Sequence, residues 1–307
     1  MVGKFKMKKK VLITGGTGFI GSNVVAELIK RGYEVHSLVY PPFAEEKEGL
    51  IQYEMNLMDS NAVDNFLAKH PFENLIHLAW YVGPKCHVAN LNLDWTIATL
   101  NLLNSFYKHG GKKFLGAGTI SEYNYKHGYF TEGLTPTDAK ALYAKTKNAI
   151  FNIAEVFCEQ NGIDFKWPRI FNLYGPNEKP ARLMPSVINS CLNGEDVKVS
   201  DCLKFQDYLH VFDTANGIVE VFESELKGAV NICSGKPVQL RTVVEKIAEK
   251  TNFNGEILWG AIPAAFGDDV VVGNNDKLKS IGWEQRYDLD EGLEMTINWW
   301  KENSNLA

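Results

Sequence analysis

Tyr143 and Lys147 stand four residues apart in "YAKTK", inside a segment of helical period, so both side chains project from one face toward the same volume. A phenol ionising at about pH 10 is a poor acid or base at neutrality, and an adjacent ammonium favours its phenolate. The pair can therefore shuttle a proton to or from a hydroxyl or carbonyl oxygen. Tyrosine and lysine at this spacing also occur as an ordinary helix surface pair. A third group raises the reading: "KKFLGAGTISEY" delivers the hydroxyl of Thr119 to the end of a strand-length apolar run, where a parallel sheet presents its ligand-facing edge.

"VLITGGTGFIGS", residues 11–22, supplies a partner for that chemistry. Gly15, Gly18 and Gly21 follow an expected strand and open an expected helix, the context that makes a glycine pattern informative. Gly15 permits a tight turn, Gly18 lets backbone N–H groups approach a pyrophosphate, and Gly21 lets the helix pack close to its strand. The anion then sits at the helix N-terminus, beside Phe19 and Ile20, where unpaired donors and the helix dipole favour negative charge. The glycines hold a dinucleotide on this reading, and a hydride moving to or from its nicotinamide would accompany the proton moved by Tyr143. A carboxylate for the adenosine ribose is expected at the end of the second strand, but "YEVHSLVYPP" places Val39 and Tyr40 there. The missing carboxylate removes a ribose acceptor and also a charge that would repel a 2′-phosphate. The balance leans to NADP(H), with NAD(H) open.

These groups need a scaffold, and the chain describes one. Strand-length apolar runs alternate with helix-period segments: "KVLITG", "SNVVAELIKRG", "YEVHSLVY", "AVDNFLAKH", "NLIHLAW", "WTIATLNLLNSFYKHGG", "KKFLGAG", a long segment around "ALYAKTKNAIFNIAEVFCEQNG", then "DFKWPRIFN". Such alternation predicts an α/β, Rossmann-type doubly wound parallel sheet covered on both faces. The rhythm loosens after "LYGPNEKPARLMP", so residues 1–170 are read as the dinucleotide-binding domain. Residues 171–307 are read as a smaller, mainly substrate-binding α/β domain, interleaved with the first.

Bulk properties narrow the function. The 307 residues, 45% hydrophobic and 12% aromatic, are ample for packed cores. A net charge of −5 offers no positive field for nucleic acid or an anionic membrane, and no stretch reaches membrane-spanning length. Five scattered cysteines without a CxxC pair suggest neither a disulfide framework nor a metal site, and fit a reducing cytoplasm. Cys86 beside His87 lacks further ligands at zinc spacing. His77, in an apolar strand, is expected to be a satisfied core histidine. The basic start "MVGKFKMKKK" is read as a solvated leader, with Met7 a possible second start.

Taken together, "GGTGFIG", "HLAW", "GTISEY", "YAKTK", "RIFNLYGP", "GAVNICSG" and "IGWEQRYDLDEGL" resemble the extended short-chain dehydrogenase/reductase family of nucleotide-sugar epimerases, dehydratases and ketoreductases over nearly the whole chain. The resemblance implies a catalytic trio at Thr119, Tyr143 and Lys147, with Lys147 also on the nicotinamide ribose. It implies cofactor contacts at Tyr40, Asn56, Leu57, Leu78, Ala79, Trp80 and Ile170, and substrate contacts at Tyr81, Thr119 and Asn172. Members that dehydrate follow the catalytic hydroxyl with Asp and Glu; Ile120 and Ser121 here cannot do that acid–base work. A 4-ketoreductase acting on a dTDP- or CDP-linked 4-keto-6-deoxy sugar is the leading expectation, a 4-epimerase with tightly bound NAD the alternative. A non-catalytic dinucleotide sensor is the rival from another class. The family's two diphosphate-gripping arginines are replaced by Gln206 and Ala265, leaving Arg182, Lys204 and Gln206 as candidate substrate contacts. Glu122 and Tyr123 are placed at the edge of the substrate pocket. Pairing into a homodimer through segments 95–107 and 141–157 is also implied.

Overall fold

The computed structural model describes residues 9–83, 85–138, 140–264 and 269–303. Ala265 and Met7 therefore lie outside the described residues. The chain divides into two compact units: the first comprises residues 1–122, 137–169 and 218–230, the second residues 123–136, 170–217 and 231–307.

The first unit carries a parallel sheet. Its early elements are β1 (Lys10–Thr14), α1 (Phe19–Lys30), β2 (Glu34–Val39), β3 (Leu50–Glu54), α2 (Ser60–Lys69), β4 (Asn74–His77), α3 (Leu91–Lys108), β5 (Lys113–Gly116), β6 (Gly118–Thr119) and α4 (Leu142–Gln160). The strand order runs from Gly228–Ile232 through Asp164–Ile170 to β5, β4, β1, β2 and β3, with β6 pairing beside Asp164–Ile170. Val11, Leu12 and Ile13 of β1 are all fully buried, as a central parallel strand covered on both faces requires. The order reverses between β1 and β4, and the carboxyl ends of those strands open the crevice in which such sheets bind ligands. The fold expectation holds.

β3 is a strand that the segmental reading does not contain. It is the edge strand, and "LIQYE" is part exposed along its length, so it lacks the continuous apolar run that marks its neighbours. The core of this unit joins Leu12, Leu38, Leu75, Leu103, Phe114, Ile150 and Trp167, drawn from both sheet and helices. Arg31, at the end of α1, meets Glu27, Glu220 and Glu223 at 2.9, 2.7 and 2.6 Å, fastening the 218–230 segment to α1.

The second unit has its own core around Met184, Ile188, Val243, Ile247, Leu293 and Trp300. The stretch "QDYLHVFDTANGIVEVFES" resolves into a strand, Phe205–His210, running straight into a helix, Val211–Glu223. Asp207 pins this unit: its carboxylate accepts from Ser234 Oγ and N at 2.6 and 2.8 Å, Gly235 N at 2.9 Å and Gly273 N at 3.1 Å.

Candidate active site

The glycine turn is built for close approach. Gly15 adopts φ +73°, and a Cβ there would lie 2.7 Å from the backbone nitrogen of Ala79, just beyond β4. A Cβ at Gly21 would overlap the carbonyl of Gly15, so only glycine lets α1 begin this tightly against β1. Gly18 is different: a Cβ there would meet only the Gly15 oxygen, at 3.4 Å, and the residue is exposed. The N-terminus of α1 has no side-chain cap at Gly18 and no acidic side chain in its first turn, which leaves its amide donors to an anion. This cradle fits the pyrophosphate of a dinucleotide. Phe19 and Ile20 are half-buried beside it.

Across the switch point, the chain leaving β4 carries Leu78, Ala79, Trp80 and Tyr81, all half-buried. His77, at the end of β4, is a core histidine: Nδ1 pairs with Thr14 Oγ1 at 2.7 Å and Nε2 with Thr99 Oγ1 at 2.9 Å. Burial, and secondarily the Lys147 charge, push its imidazole down to about 3, so it stays neutral.

Trp80 gathers the candidate groups Tyr143 and Lys147. Its indole nitrogen donates to Asn92 Oδ1 at 2.9 Å, which fixes the ring. The Lys147 ammonium lies 3.8 Å from the Trp80 ring centre, and the Tyr143 ring stands edge-on to it at 6.2 Å. Lys147 is buried and donates to the Ala117 carbonyl at 2.9 Å, two residues ahead of Thr119. Burial pulls this lysine down to about 7, against the opposing charge of Glu122. The lysine is therefore poised near neutrality. The exposed His87 packs edge-on to Tyr143 at 5.6 Å, and its carbonyl accepts the Tyr143 amide at 3.1 Å.

Thr119 ends β6 and is buried; its Oγ1 accepts the amide of Ser121 at 3.2 Å. Below it lies a buried ion pair that sequence reasoning missed. Glu122, fully buried, accepts the Thr119 amide at 2.8 Å and Trp167 Nε1 at 3.0 Å through Oε1, and Arg169 Nε at 2.7 Å through Oε2. Placing Glu122 and Tyr123 at a pocket edge is thus corrected. Glu122 is enclosed in the first unit; Tyr123 is equally enclosed in the second, its hydroxyl donating to Asn231 Oδ1 at 2.7 Å. Two buried partners, Trp167 and Arg169, hold Glu122 inside. The local signal was the Thr-x-x-Glu spacing of a capping box.

The remaining candidates are more dispersed. Tyr40, past the end of β2, is 74% exposed. Asn56 accepts the Met58 amide at 3.0 Å in a turn after β3, and Leu57 packs on the core edge. Ile170 is buried at the end of its strand. In the second unit Asn172 Nδ2 donates to Gln206 Oε1 at 2.9 Å across adjacent strands, and Lys204 lies two residues before Gln206. Arg182, 69% exposed, lies 3.7 Å from Glu178.

A doubly wound sheet with a glycine cradle at its switch point defines a Rossmann-like fold of the dinucleotide-binding class. The chain belongs to the NAD dependent epimerase/dehydratase family, whose model matches residues 11–233. It is 26% identical to a UDP-glucuronate 4-epimerase of Thermodesulfobacterium geofontis, over 96% of this chain and 97% of that protein. It is 28% identical to a dTDP-6-deoxy-L-talose 4-dehydrogenase (NAD(+)) of Aggregatibacter actinomycetemcomitans, over 85% of this chain and 98% of that protein. The crystal structure of a Thermus thermophilus UDP-glucose 4-epimerase complex with NAD superposes with a TM-score of 0.85 at 26% identity, covering 95% of this chain and 99% of that one. Among the described residues no helix is long and apolar enough to cross a membrane.

Proposed function

We propose that this chain is an NAD(P)(H)-dependent 4-ketoreductase acting at C4 of a dTDP- or CDP-linked 4-keto-6-deoxy sugar. The observation carrying this reading is the gathering of Tyr143 and Lys147 around Trp80, at the crevice where the glycine cradle lies, with Thr119 on the adjoining strand. When bound, the nicotinamide would supply the hydride that C4 receives. The chain's own groups do the rest. Thr119 donates a hydrogen bond to the C4 oxygen and orients it. Tyr143 gives that oxygen its proton, and Lys147, while charged, stabilises the phenolate left behind. Ile120 and Ser121 offer no acid–base pair for loss of water, which speaks against dehydration. The relative that is a 4-dehydrogenase of a dTDP-6-deoxy sugar supports C4 redox chemistry. With no carboxylate at exposed Tyr40 to repel a 2′-phosphate, NADP(H) is the favoured form and NAD(H) the alternative.

Purified protein given NADPH and dTDP- or CDP-4-keto-6-deoxyglucose is expected to deplete the reduced-nicotinamide absorbance. Tyr143→Phe is expected to abolish turnover while leaving cofactor affinity within about twofold. Silence across both nucleotides with both cofactors, or equal turnover in Tyr143→Phe, refutes the reading. Relatives that are 4-epimerases favour one other outcome, a 4-epimerase retaining NAD. It would release NAD on denaturation and interconvert two sugars without net redox. The chain is further proposed to form a homodimer through α3 and α4, which pack together and expose Leu93, Ile97, Ile153 and Val156 at 49–60%.

A further inference from the structure

We propose that the Glu122 carboxylate is a positioning residue of the reaction centre, holding the Thr119 backbone through Oε1 and supplying the counter-charge for the enclosed Lys147 ammonium. This rests on the reading of Thr119, Tyr143 and Lys147 given above. Glu122 joins the end of the Thr119 strand to α4, the helix that carries Tyr143 and Lys147. Its side chain accepts the Thr119 amide, and its backbone carbonyl accepts Asn148 Nδ2 at 3.1 Å, one residue beyond Lys147 on α4. Trp167, which donates to Oε1, also lies under Lys147, whose ammonium is 5.8 Å from its ring centre. A Cβ at Gly118 would lie 2.8 Å from Glu122 Oε1 and would overlap Trp167 Nε1, so glycine there admits both.

A plain structural account makes Glu122 the last residue of a Thr-x-x-Glu capping box around the turn Ile120–Glu122. That account needs an acceptor oxygen but no charge, since glutamine serves the box equally well. Nor does stability explain the ion pair, because burying Glu122 and Arg169 costs desolvation that apolar packing would avoid. The charge has a second use: it is the group that opposes burial in setting the protonation of Lys147. The other titratable groups facing Lys147 cannot substitute. His77 is neutral, Tyr143 is the proton carrier itself, and Arg169 carries the wrong sign.

Glu122→Gln therefore separates the two accounts, with Glu122→Gln/Arg169→Met as a companion that leaves no buried guanidinium unpaired. The Lys147 ammonium is followed by nitrogen-15 NMR of lysine-labelled protein, assigned by its loss in Lys147→Arg. The midpoint, about 7 in the parent, is expected to fall by about one pH unit or more in Glu122→Gln and by a smaller step in the double variant, where the positive charge paired with Glu122 leaves along with it. Turnover of NADPH with dTDP-4-keto-6-deoxyglucose is expected to drop about tenfold at pH 7.5, with KM for NADPH within about twofold. An unmoved midpoint in either variant overturns the inference, whatever the turnover does. Failure of the ketoreductase reading would instead show as turnover retained in Tyr143→Phe, with the lysine titration still informative.

Discussion

Replacing Lys147 by methionine offers a measurement of the buried ammonium that needs no substrate. In the unfolded chain a lysine ionises at about 10.4; in the folded protein burial brings Lys147 down to about 7. Between those values the unfolded state binds one more proton than the native state, so the stability of the parent must rise with pH across that window. Below about 7 both states carry the proton, and the full penalty of the enclosed charge is present. Integrating the linkage relation from pH 7 to pH 9 gives a gain of about 2 kcal/mol for the parent that Lys147→Met cannot show. Titrating groups remote from Lys147 are common to both proteins and cancel in the difference, and His77, whose imidazole the ammonium helps to push down, stays neutral across this window. Urea unfolding of both, freed of dinucleotide, at half-unit steps of pH gives the comparison directly. The two stability curves are expected to converge as pH rises, with the variant ahead at pH 6.5. Parallel curves would refute the argument, since they would mean that Lys147 keeps the affinity for protons of an exposed lysine.

Other consequences follow from single contacts. Gly21→Ala drives a methyl group into the Gly15 carbonyl and should raise the dissociation constant for the dinucleotide by at least about tenfold, read by titration calorimetry. Affinity unchanged by that methyl would remove the cradle from the account. Ile97→Glu places a charge in the proposed helix-pair contact and is expected to shift the protein from dimer to monomer in light scattering, with its far-ultraviolet circular dichroism preserved. A variant that scatters as the parent does would dismiss α3 and α4 as the pairing face.

How much of this was legible in the residues depends on how locally each feature is encoded. β1 and α1 could be read because their signals, an apolar run, three glycines and a helical period, are contiguous. Tyr143 and Lys147 could be read because helical spacing alone puts them on one face. β3 could not, since an edge strand is half solvated and its five residues lack the continuous apolar run that marks its neighbours. The boundary at His210 and Val211 was equally hidden, because the strand passes into the helix without a breaker residue. Glu122 was misplaced for a different reason: its partners Trp167 and Arg169 lie 45 and 47 positions away. Nothing in a short window reports that they meet. The same applies to the protonation of Lys147, since burial is a property of the assembled sheet and helices.

The return of residues 218–230 to the first unit has a consequence during synthesis. Strand Asp164–Ile170 gains its outer neighbour only when Gly228–Ile232 has been made, and Arg31 waits equally long for Glu220 and Glu223. A ribosome that has translated the whole glycine cradle and the tyrosine–lysine helix still displays a bare, apolar β-edge for some sixty further codons, an invitation to off-pathway pairing. Nascent chains in that interval are the ones that should depend on ribosome-associated chaperones, and slowing translation there should lower the yield of soluble protein.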